Sequence, residues 1–306
     1  MEAFSKIAII GLGLIGSSIA HATRRGKLAK EIAGFDVSAD VRARAAEIGF
    51  CDTVADDIAA AVKGARLVIL CTPVGAYKSV AVAIAPHLDK GAILSDVGSV
   101  KGAVIRDVGP FVPPGVHFIP AHPIAGTEFS GPEAGFASLF DGRWTILTPL
   151  PGADSGAVAR LRGFWECLGS QVDEMEAGHH DLVLAITSHL PHLIAYNIVG
   201  TAHDLEAVTE GEVIKYSASG FRDFTRIAAS DPTMWRDVFL NNREAVLEVL
   251  GRFNEDLSQL QRAIREGNGE LLFDTFSRTR AIRKAIIEIG QESAAPNFGR
   301  DQKKTP

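Results

Sequence analysis

The sequence predicts an α/β domain with a mostly parallel sheet, followed by an all-α domain. In the first half of the chain, short apolar runs rich in Val and Ile alternate with segments of helical spacing. Such continuous runs are typical of strands that are buried on both faces by covering helices. After the turn at residues 150–152 these runs stop, and the chain to about Gly290 has helical spacing. The predicted strands are Lys6 to Ile10, Glu31 to Phe35, Arg66 to Cys71, Ala92 to Val97, Val116 to Pro120 and Trp144 to Thr148.

The length of 306 residues favours two domains over one, because a single hydrophobic core rarely grows to that size. We place the boundary near Val172, with residues 1–172 in the first domain and 173–290 in the second. The polar tail at 291–306 is expected to be disordered.

The composition excludes several classes of protein. A net charge of -6 without a cluster of Lys and Arg makes nucleic acid an unexpected partner. The three cysteines form no CxxC pair, which is typical of reduced thiols in a cytoplasmic enzyme and indicates neither a disulfide framework nor a structural zinc. No run approaches the roughly 20 uninterrupted apolar residues of a membrane span. We therefore expect a soluble, cytoplasmic protein that does not bind membranes.

A glycine-rich turn predicts a nucleotide site near the N-terminus. Gly11-Leu12-Gly13-Leu14-Ile15-Gly16 follows an apolar run and precedes a helical stretch, which is the context of the GxGxxG turn in a Rossmann βαβ unit. Asp36 stands where an acidic residue would bind the ribose hydroxyls of NAD, although Arg42 and Arg44 leave NADP open. The predicted cofactor-binding residues are Gly11, Gly13, Leu14, Ile15, Gly16, Asp36, Thr72 and Pro73.

Two segments at the ends of predicted strands suit an alcohol oxidation. Ser99 lies in Asp96 to Lys101 and His122 in Ala121 to Glu128, and ligands of open α/β sheets bind at this edge. An imidazole, with an ordinary pKa of about 6.5, can accept a hydroxyl proton while hydride departs to a nicotinamide. The alternative is that His122 merely caps a strand before a proline.

The helical part carries further polar motifs. His189 and His192 are three residues apart, which could suit a zinc site, but no HExxH or suitably placed carboxylate accompanies them. Buried, hydrogen-bonding histidines are the preferred interpretation, and Pro191 is expected to kink their helix. Arg222 and Arg226, four residues apart, form either a carboxylate clamp or a solvated, salt-bridging pair.

A seam of apolar residues recurs at alternating steps of four and three, which is the spacing of a helix that packs along a partner helix. It predicts either an intrachain core or a dimer interface. The seam residues are Val246, Leu250, Phe253, Leu257, Leu260 and Ile264.

Taken in order, the segments GLGLIG, DVGSVK, HPIAGTE, SHLPH and GFRDFTRIAASDPTMWRD resemble the prephenate and arogenate (cyclohexadienyl) dehydrogenases of tyrosine biosynthesis. The resemblance covers about Lys6 to Gly290. It implies a Rossmann domain followed by a helical domain that builds an intertwined homodimer. It also implies NAD-dependent oxidative decarboxylation of prephenate to 4-hydroxyphenylpyruvate, of arogenate to tyrosine, or of both.

The resemblance assigns roles residue by residue. It implies that His122 is the catalytic histidine that hydrogen-bonds the ring hydroxyl, that Ser99 orients this histidine and the substrate, and that Arg226 holds a substrate carboxylate. It makes a metal unnecessary. The other residues implied to line the pocket are His192, Thr127, Glu128, Arg222, Trp235 and, more weakly, His180.

Three questions stay open at this level. Glu128 could pair with the ammonium of arogenate or only organise the pocket, so the substrate preference is undecided. A reductase similar to β-hydroxyacid dehydrogenases shares the two-domain plan, although such enzymes are expected to use a lysine in the helical domain. A non-catalytic NAD-sensing dimer would keep the fold but would not need both Ser99 and His122.

Overall fold

A computed structural model describes residues 2–127, 129–206 and 218–288 of the chain. The chain divides into two units, residues 1–247 and residues 248–306. Glu128, the predicted tail at 291–306 and most of the segment between Gly211 and Gly220 lie outside the described residues.

Unit 1 contains a six-stranded parallel sheet with the strand order β3-β2-β1-β4-β5-β6. This is the order of doubly wound dinucleotide-binding domains, in which the order reverses beside β1. The predicted α/β class and mostly parallel sheet are thereby confirmed. The strands are β1 (Ile7–Ile10), β2 (Ile32–Phe35), β3 (Thr53–Val54), β4 (Leu67–Leu70), β5 (Ile93–Asp96) and β6 (His117–Phe118).

The register of the sheet sets where the site can form. Ile10 pairs with Phe35 and with Leu70, and Leu70 pairs with Asp96, so four strands end level with one another. The segments that leave these strands therefore emerge along one edge. That edge carries both the glycine turn and the loop with Ser99.

Helices cover both faces of the sheet because alternate strand residues point to opposite sides. On β1, Ile7 and Ile9 pack into one core cluster, which includes Trp165, while Ala8 and Ile10 pack into the other. The covering helices are α1 (Leu14–Gly26), α2 (Ala39–Ile48), α3 (Ile58–Val62), α4 (Tyr77–Ile84), α5 (Lys101–Val108) and α6 (Ser155–Cys167).

A second sheet follows the first and holds the predicted catalytic histidine. It consists of β7 (Ala121–Pro123), β8 (Trp144–Leu147) and β9 (Gln171–Glu174), with β8 antiparallel to β7 and parallel to β9. The expectation that strands stop after residue 152 is wrong for β9. Three of its four residues are exposed and polar, so it carries no apolar run that a sequence pattern could detect.

The rest of the described chain is helical. A π-helical segment, Ala185–His189, ends two residues before Pro191, which the sequence predicts to kink its helix; such segments are frequent at functional sites. The helices are α7 (Ala177–Leu184), α8 (Leu190–Glu206), α9 (Ser219–Thr225), α10 (Pro232–Asn241), α11 (Arg243–Glu266) and α12 (Gly269–Glu288), with a 3-10 turn at Arg226–Ala229.

One helical stretch, Ala177–Leu205, is long and apolar enough by composition to cross a membrane. It contains the polar residues His180, Asp181 and His189, so it is not an uninterrupted apolar run. All three side chains are buried. These polar side chains have protein partners, as in a core helix of a folded domain.

Unit 2 comprises the later part of α11, the turn at Gly267 and α12. Gly267 has φ +67°, a left-handed conformation that suits glycine, and hydrogen bonds from 267 and 268 back to Ile264 and Ala263 close the helix end. Leu257 and Ile264 of the predicted seam are 52% and 68% exposed in the single chain. The seam is therefore not closed within one copy.

We expect Leu161→Ala to lower the free energy of unfolding by about 2–5 kcal/mol, since this fully buried α6 side chain packs in the core cluster with Phe164 and Trp165. Urea denaturation measures the loss. Val37→Ala, at an 89% exposed position, is the control and should change stability by less than about 0.5 kcal/mol. Equal effects of the two substitutions would contradict the described core.

Candidate active site

The glycine turn joins β1 to α1, and its three glycines meet different constraints. Gly11 has φ +100°, and a side chain there would meet the Cys71 carbonyl oxygen at 2.5 Å. A side chain on Gly16 would collide with the Gly11 carbonyl oxygen, so α1 could not approach β1 as closely. Gly13 faces open space, with nothing within 4 Å of an added Cβ. Gly11 and Gly16 therefore shape the turn, and Gly13 leaves room for a ligand.

Asp36 closes the same edge from the end of β2. Its Oδ2 accepts a hydrogen bond from the Leu12 amide at 2.9 Å, and its Oδ1 accepts one from the Ser38 amide at 3.0 Å. Arg42 donates to the backbone oxygen of Asp36 at 2.8 Å, while Arg44 pairs with Glu47 and Glu133. Arg42 and Arg44, the two arginines that could bind the 2′-phosphate of NADP, thus both have protein partners.

Residues after β4 complete this edge. Thr72 has a buried hydroxyl oxygen with no hydrogen-bond partner within residues 2–127, 129–206 and 218–288, and Pro73 beside it is exposed. The Thr72 hydroxyl, the open space at Gly13 and the uncapped N-terminus of α1 fit a dinucleotide, because its pyrophosphate accepts hydrogen bonds from backbone N–H groups.

A buried ion pair holds the backbone that carries His122. Lys101 Nζ lies 2.5 Å from Asp96 Oδ2, and both side chains are completely buried. Lys101 Nζ also donates to the Ala121 carbonyl at 2.5 Å, and the Ala121 amide donates to Asp96 Oδ1 at 3.1 Å. The pair thus binds both backbone groups of the residue before His122.

A second histidine, His180, holds the ring of His122 through its Nδ1 nitrogen. His122 Nδ1 lies 2.9 Å from His180 Nε2, and His180 Nδ1 lies 2.8 Å from Asp181 Oδ1. The Asp181 carboxylate also accepts the amides of Lys101 and Gly102 at 2.7 and 2.8 Å, at the N-terminus of α5. We call this arrangement the Asp181–His180–His122 chain.

Burial keeps the histidines of the site neutral at pH 7. It lowers the pKa of His122 well below its ordinary value, and the charge of Lys101, or of His180 or His189 when either is protonated, acts in the same direction. Desolvation likewise lowers the pKa of His180 and takes that of His189 to about 4. A neutral His122 has a lone pair available to accept a proton.

A second group of predicted residues surrounds His192. Its ring stacks on Trp235 with a centroid distance of 3.7 Å and an interplanar angle of 23°, and its Nδ1 lies 2.8 Å from the Ser188 carbonyl. Desolvation lowers the pKa of His192, and the nearby charge of Arg226 lowers it further. Arg226 is half-buried. The structure thus brings His192, Trp235 and Arg226 together.

Other predicted residues are placed differently. Ser99 is half-buried beside α5, and no hydrogen bond joins it to His122 in the described structure. His180, implied to line the pocket, is completely buried behind His122. Arg222 is exposed and does not share the burial of Arg226, and Thr127 is exposed, with its hydroxyl accepting the Phe129 amide. Glu128 lies outside the described residues.

Several supporting residues were missed by the sequence analysis. Asp96 and Lys101 entered the sequence argument only as the ends of the segment that carries Ser99, and no motif pointed to Asp181. Asn242 links the Asp181 backbone oxygen to His189 Nδ1 at 2.8 and 3.0 Å. The sequence signal that could have found the ion pair is a lysine and an aspartate in an otherwise apolar segment, since charged side chains that are buried need partners. Among the described residues, no group of three His, Cys, Asp or Glu side chains could hold a metal ion.

Comparisons with known proteins cover nearly the whole chain. The prephenate dehydrogenase nucleotide-binding domain matches residues 19–174, and the prephenate dehydrogenase dimerization domain matches residues 176–278. The cyclohexadienyl dehydrogenase of Zymomonas mobilis is 45% identical over 94% of this chain and 97% of its own length. The prephenate dehydrogenase of Bacillus subtilis is 33% identical over 95% of this chain and 78% of its own length.

Solved structures agree with these sequence matches. The Aquifex aeolicus prephenate dehydrogenase, in complex with hydroxyphenyl propionate and NAD+, has a TM-score of 0.85 and 33% identity, covering 94% of this chain and 98% of its own. The Synechocystis arogenate dehydrogenase has a TM-score of 0.77 and 28% identity over 92% of this chain and 99% of its own. The resemblance inferred from the five sequence segments is therefore confirmed, and the chain belongs to the prephenate dehydrogenase family of NAD-dependent oxidoreductases.

Proposed function

We propose that the protein catalyses the NAD-dependent oxidative decarboxylation of prephenate to 4-hydroxyphenylpyruvate, of arogenate to tyrosine, or of both, in tyrosine biosynthesis. The observation that carries this proposal is His122. It is neutral and anchored through Nδ1 and through its neighbour's backbone. This leaves Nε2 as the nitrogen for a substrate hydroxyl.

The chemistry follows from where the proton is held. His122 Nε2 accepts the hydroxyl proton while the C–H bond at the same ring carbon breaks. NAD, when bound, supplies the acceptor for that hydride. The carboxylate on the opposite ring carbon leaves as carbon dioxide, and its bonding electrons complete the aromatic ring. His122 then returns the proton to the phenolic oxygen, so no proton is gained or lost overall.

The residues around His192 suit the acidic part of the substrate. We assign the substrate carboxylate to Arg226, because a half-buried guanidinium binds carboxylates in a planar, two-pronged geometry. The stacked rings of His192 and Trp235 offer an apolar wall for the substrate ring. We assign Ser99 to the substrate rather than to His122, and we also assign Arg222, Thr127 and Glu128 to substrate binding.

The cofactor site is assigned to the glycine turn and its neighbours. The pyrophosphate lies against Gly13 and the first amides of α1, and the ribose hydroxyls meet Asp36. The assigned cofactor-binding residues are Gly11, Gly13, Leu14, Ile15, Gly16, Asp36, Thr72 and Pro73.

We also assign a cytoplasmic homodimer, with a nucleotide-binding domain at 1–172 and a helical domain at 173–290. Large apolar side chains are exposed along residues 248–288 of the single chain, which supports pairing with a second copy. Sedimentation velocity decides this point, since a monomer at micromolar concentration would contradict it. The exposed side chains are Leu257, Ile264, Leu271, Phe273, Phe276 and Ile282.

The direct test of the proposed reaction uses the purified protein with NAD and either prephenate or arogenate. Reduced nicotinamide is followed by absorbance, and the aromatic product is identified by chromatography. The absence of turnover with both substrates would reject the proposal. Comparing kcat/KM for the two substrates settles the preference that Glu128 leaves open.

We expect Gly13→Ala to weaken NAD binding by about tenfold or more, a loss of roughly 1.4 kcal/mol, while leaving the melting temperature unchanged. The added methyl group occupies open space that the pyrophosphate needs, and the backbone at φ -75° accepts alanine. Calorimetric titration measures the affinity. Gly16→Ala is the matched control and should instead destabilise the fold, because its methyl group meets the Gly11 carbonyl. Wild-type NAD affinity in Gly13→Ala would place the pyrophosphate elsewhere.

We expect His122→Asn to lower kcat by roughly 10²- to 10⁴-fold, because positioned general bases contribute that much. Steady-state kinetics with the preferred substrate measures the loss. His179→Asn is the control, since His179 is an exposed histidine adjacent to His180 in sequence and should keep the wild-type rate. A wild-type rate in His122→Asn would remove His122 from the role of base.

The pH profile is predicted from the lowered pKa of His122. The base must be neutral, so kcat/KM falls as the pH drops through the pKa of His122 in the free enzyme. Burial lowers that pKa, so the acid limb should lie below about pH 6.5, the ordinary histidine value. Initial rates from pH 4.5 to 8 at limiting substrate test this. An acid limb above pH 6.5 would show that His122 is not the titrating group.

A further inference from the structure

We propose that His180 and Asp181 are positioning residues that set which ring nitrogen of His122 carries the proton, so that Nε2 always faces the substrate as an acceptor. The inference rests on the proposed function for its catalytic consequence. The tautomer itself follows from the hydrogen bonds of the Asp181–His180–His122 chain.

The direction of each hydrogen bond begins at Asp181. Its carboxylate accepts the Lys101 and Gly102 amides at 2.7 and 2.8 Å, so both of its oxygens already accept hydrogen bonds. Toward His180 Nδ1, at 2.8 Å, this carboxylate accepts again. His180 therefore carries its proton on Nδ1.

The next step follows from the chemistry of imidazole. A neutral ring has one N–H and one lone pair, so a His180 protonated at Nδ1 presents a lone pair at Nε2. That nitrogen lies 2.9 Å from His122 Nδ1, which must donate. Neutral His122 is thereby protonated at Nδ1 and has its lone pair at Nε2. Without His180, the two tautomers of His122 would compete.

The Asp181–His180–His122 chain also stabilises the positive charge that forms on His122 during the reaction. When His122 holds the substrate proton, the ring is a cation that donates from Nδ1 to His180 Nε2, and the Asp181 carboxylate lies one hydrogen bond beyond, at His180 Nδ1. The other charged or titratable groups near these rings are Lys101, which is paired with Asp96, and His189, whose pKa burial lowers to about 4. Asp181 is thus the counter-charge that the chain supplies.

Further hydrogen bonds and burial hold the arrangement in place. Asp181 is fixed by the N-terminus of α5, and the Asn242 side chain donates to the Asp181 backbone oxygen at 2.8 Å. His180 is completely buried and meets His122 edge-on, with ring centroids 5.1 Å apart and planes at 64°. A solvent-exposed histidine would not provide this constraint.

The first test needs no substrate. Nitrogen NMR of protein labelled with ¹⁵N-histidine identifies the protonated ring nitrogen, and the signals of His122 are assigned by their loss in His122→Asn. At pH 8 we expect both His122 and His180 to be protonated at Nδ1. Protonation of His122 at Nε2 would overturn the inference. Because this measurement is independent of turnover, it separates failure of the inference from failure of the proposed reaction.

The second test compares two replacements of His180. His180→Leu cannot accept from His122 and should lower kcat by roughly 10²-fold, with KM and NAD affinity within about twofold of wild type. His180→Gln offers a side-chain oxygen to His122 Nδ1 and should recover part of kcat. His179→Leu, at the adjacent exposed position, is the control. Wild-type kcat in His180→Leu, or equal losses in both variants, would overturn the inference, and the NMR result decides if His180→Leu does not fold.

Asp181→Asn tests the counter-charge. Loss of the carboxylate removes stabilisation of the protonated pair, so the acid limb of kcat/KM should move to lower pH. A merely structural role of Asp181 would reduce the amount of active enzyme without moving that limb. An acid limb at the wild-type position would therefore reject the proposed counter-charge.

Discussion

The completely buried ion pair between Lys101 and Asp96 is the interaction on which the geometry of the candidate active site depends. Burying two charges is costly, and such a pair stabilises a fold only where further hydrogen bonds satisfy both groups. Here Asp96 also accepts the Gly98 and Ala121 amides, and Lys101 donates to the Ala121 carbonyl. The pair therefore joins the end of β5, the start of α5 and the start of β7. Its main consequence is a fixed backbone beside His122 rather than a large gain in stability.

The N-terminus of α5 makes two contacts that position the candidate active site. It carries the lysine of the ion pair, and its first amides bind the Asp181 carboxylate from α7. An anion at this end of a helix is favoured by the backbone dipoles. The first turn of α5 thus connects the strand edge assigned to the nucleotide with the hydrogen-bonded residues that hold the His122 ring.

The sequence could predict the parts of this structure that depend on local pattern. Continuous apolar runs indicated six strands, and the glycine turn indicated the first βαβ unit, because each depends on neighbouring residues. The strand β9 escaped detection since its exposed residues are polar. The bond between His122 and His180 spans 58 positions, and that between Lys101 and Asp181 spans 80. No local pattern encodes such contacts, so the motif resemblance assigned a catalytic role to His122 without indicating what orients its ring.

Binding an acidic substrate and keeping a neutral base make opposite electrostatic demands. Substrate carboxylates raise the pKa of nearby histidines, whereas a guanidinium lowers it. In this structure Arg226 acts on His192, while the groups that act on His122 are His180, Lys101 and His189. Arg226 is therefore not among the groups that lower the pKa of His122. Burial is the main cause that keeps His122 neutral, so in the proposed mechanism a substrate carboxylate held at Arg226 does not have to change the protonation state of the base.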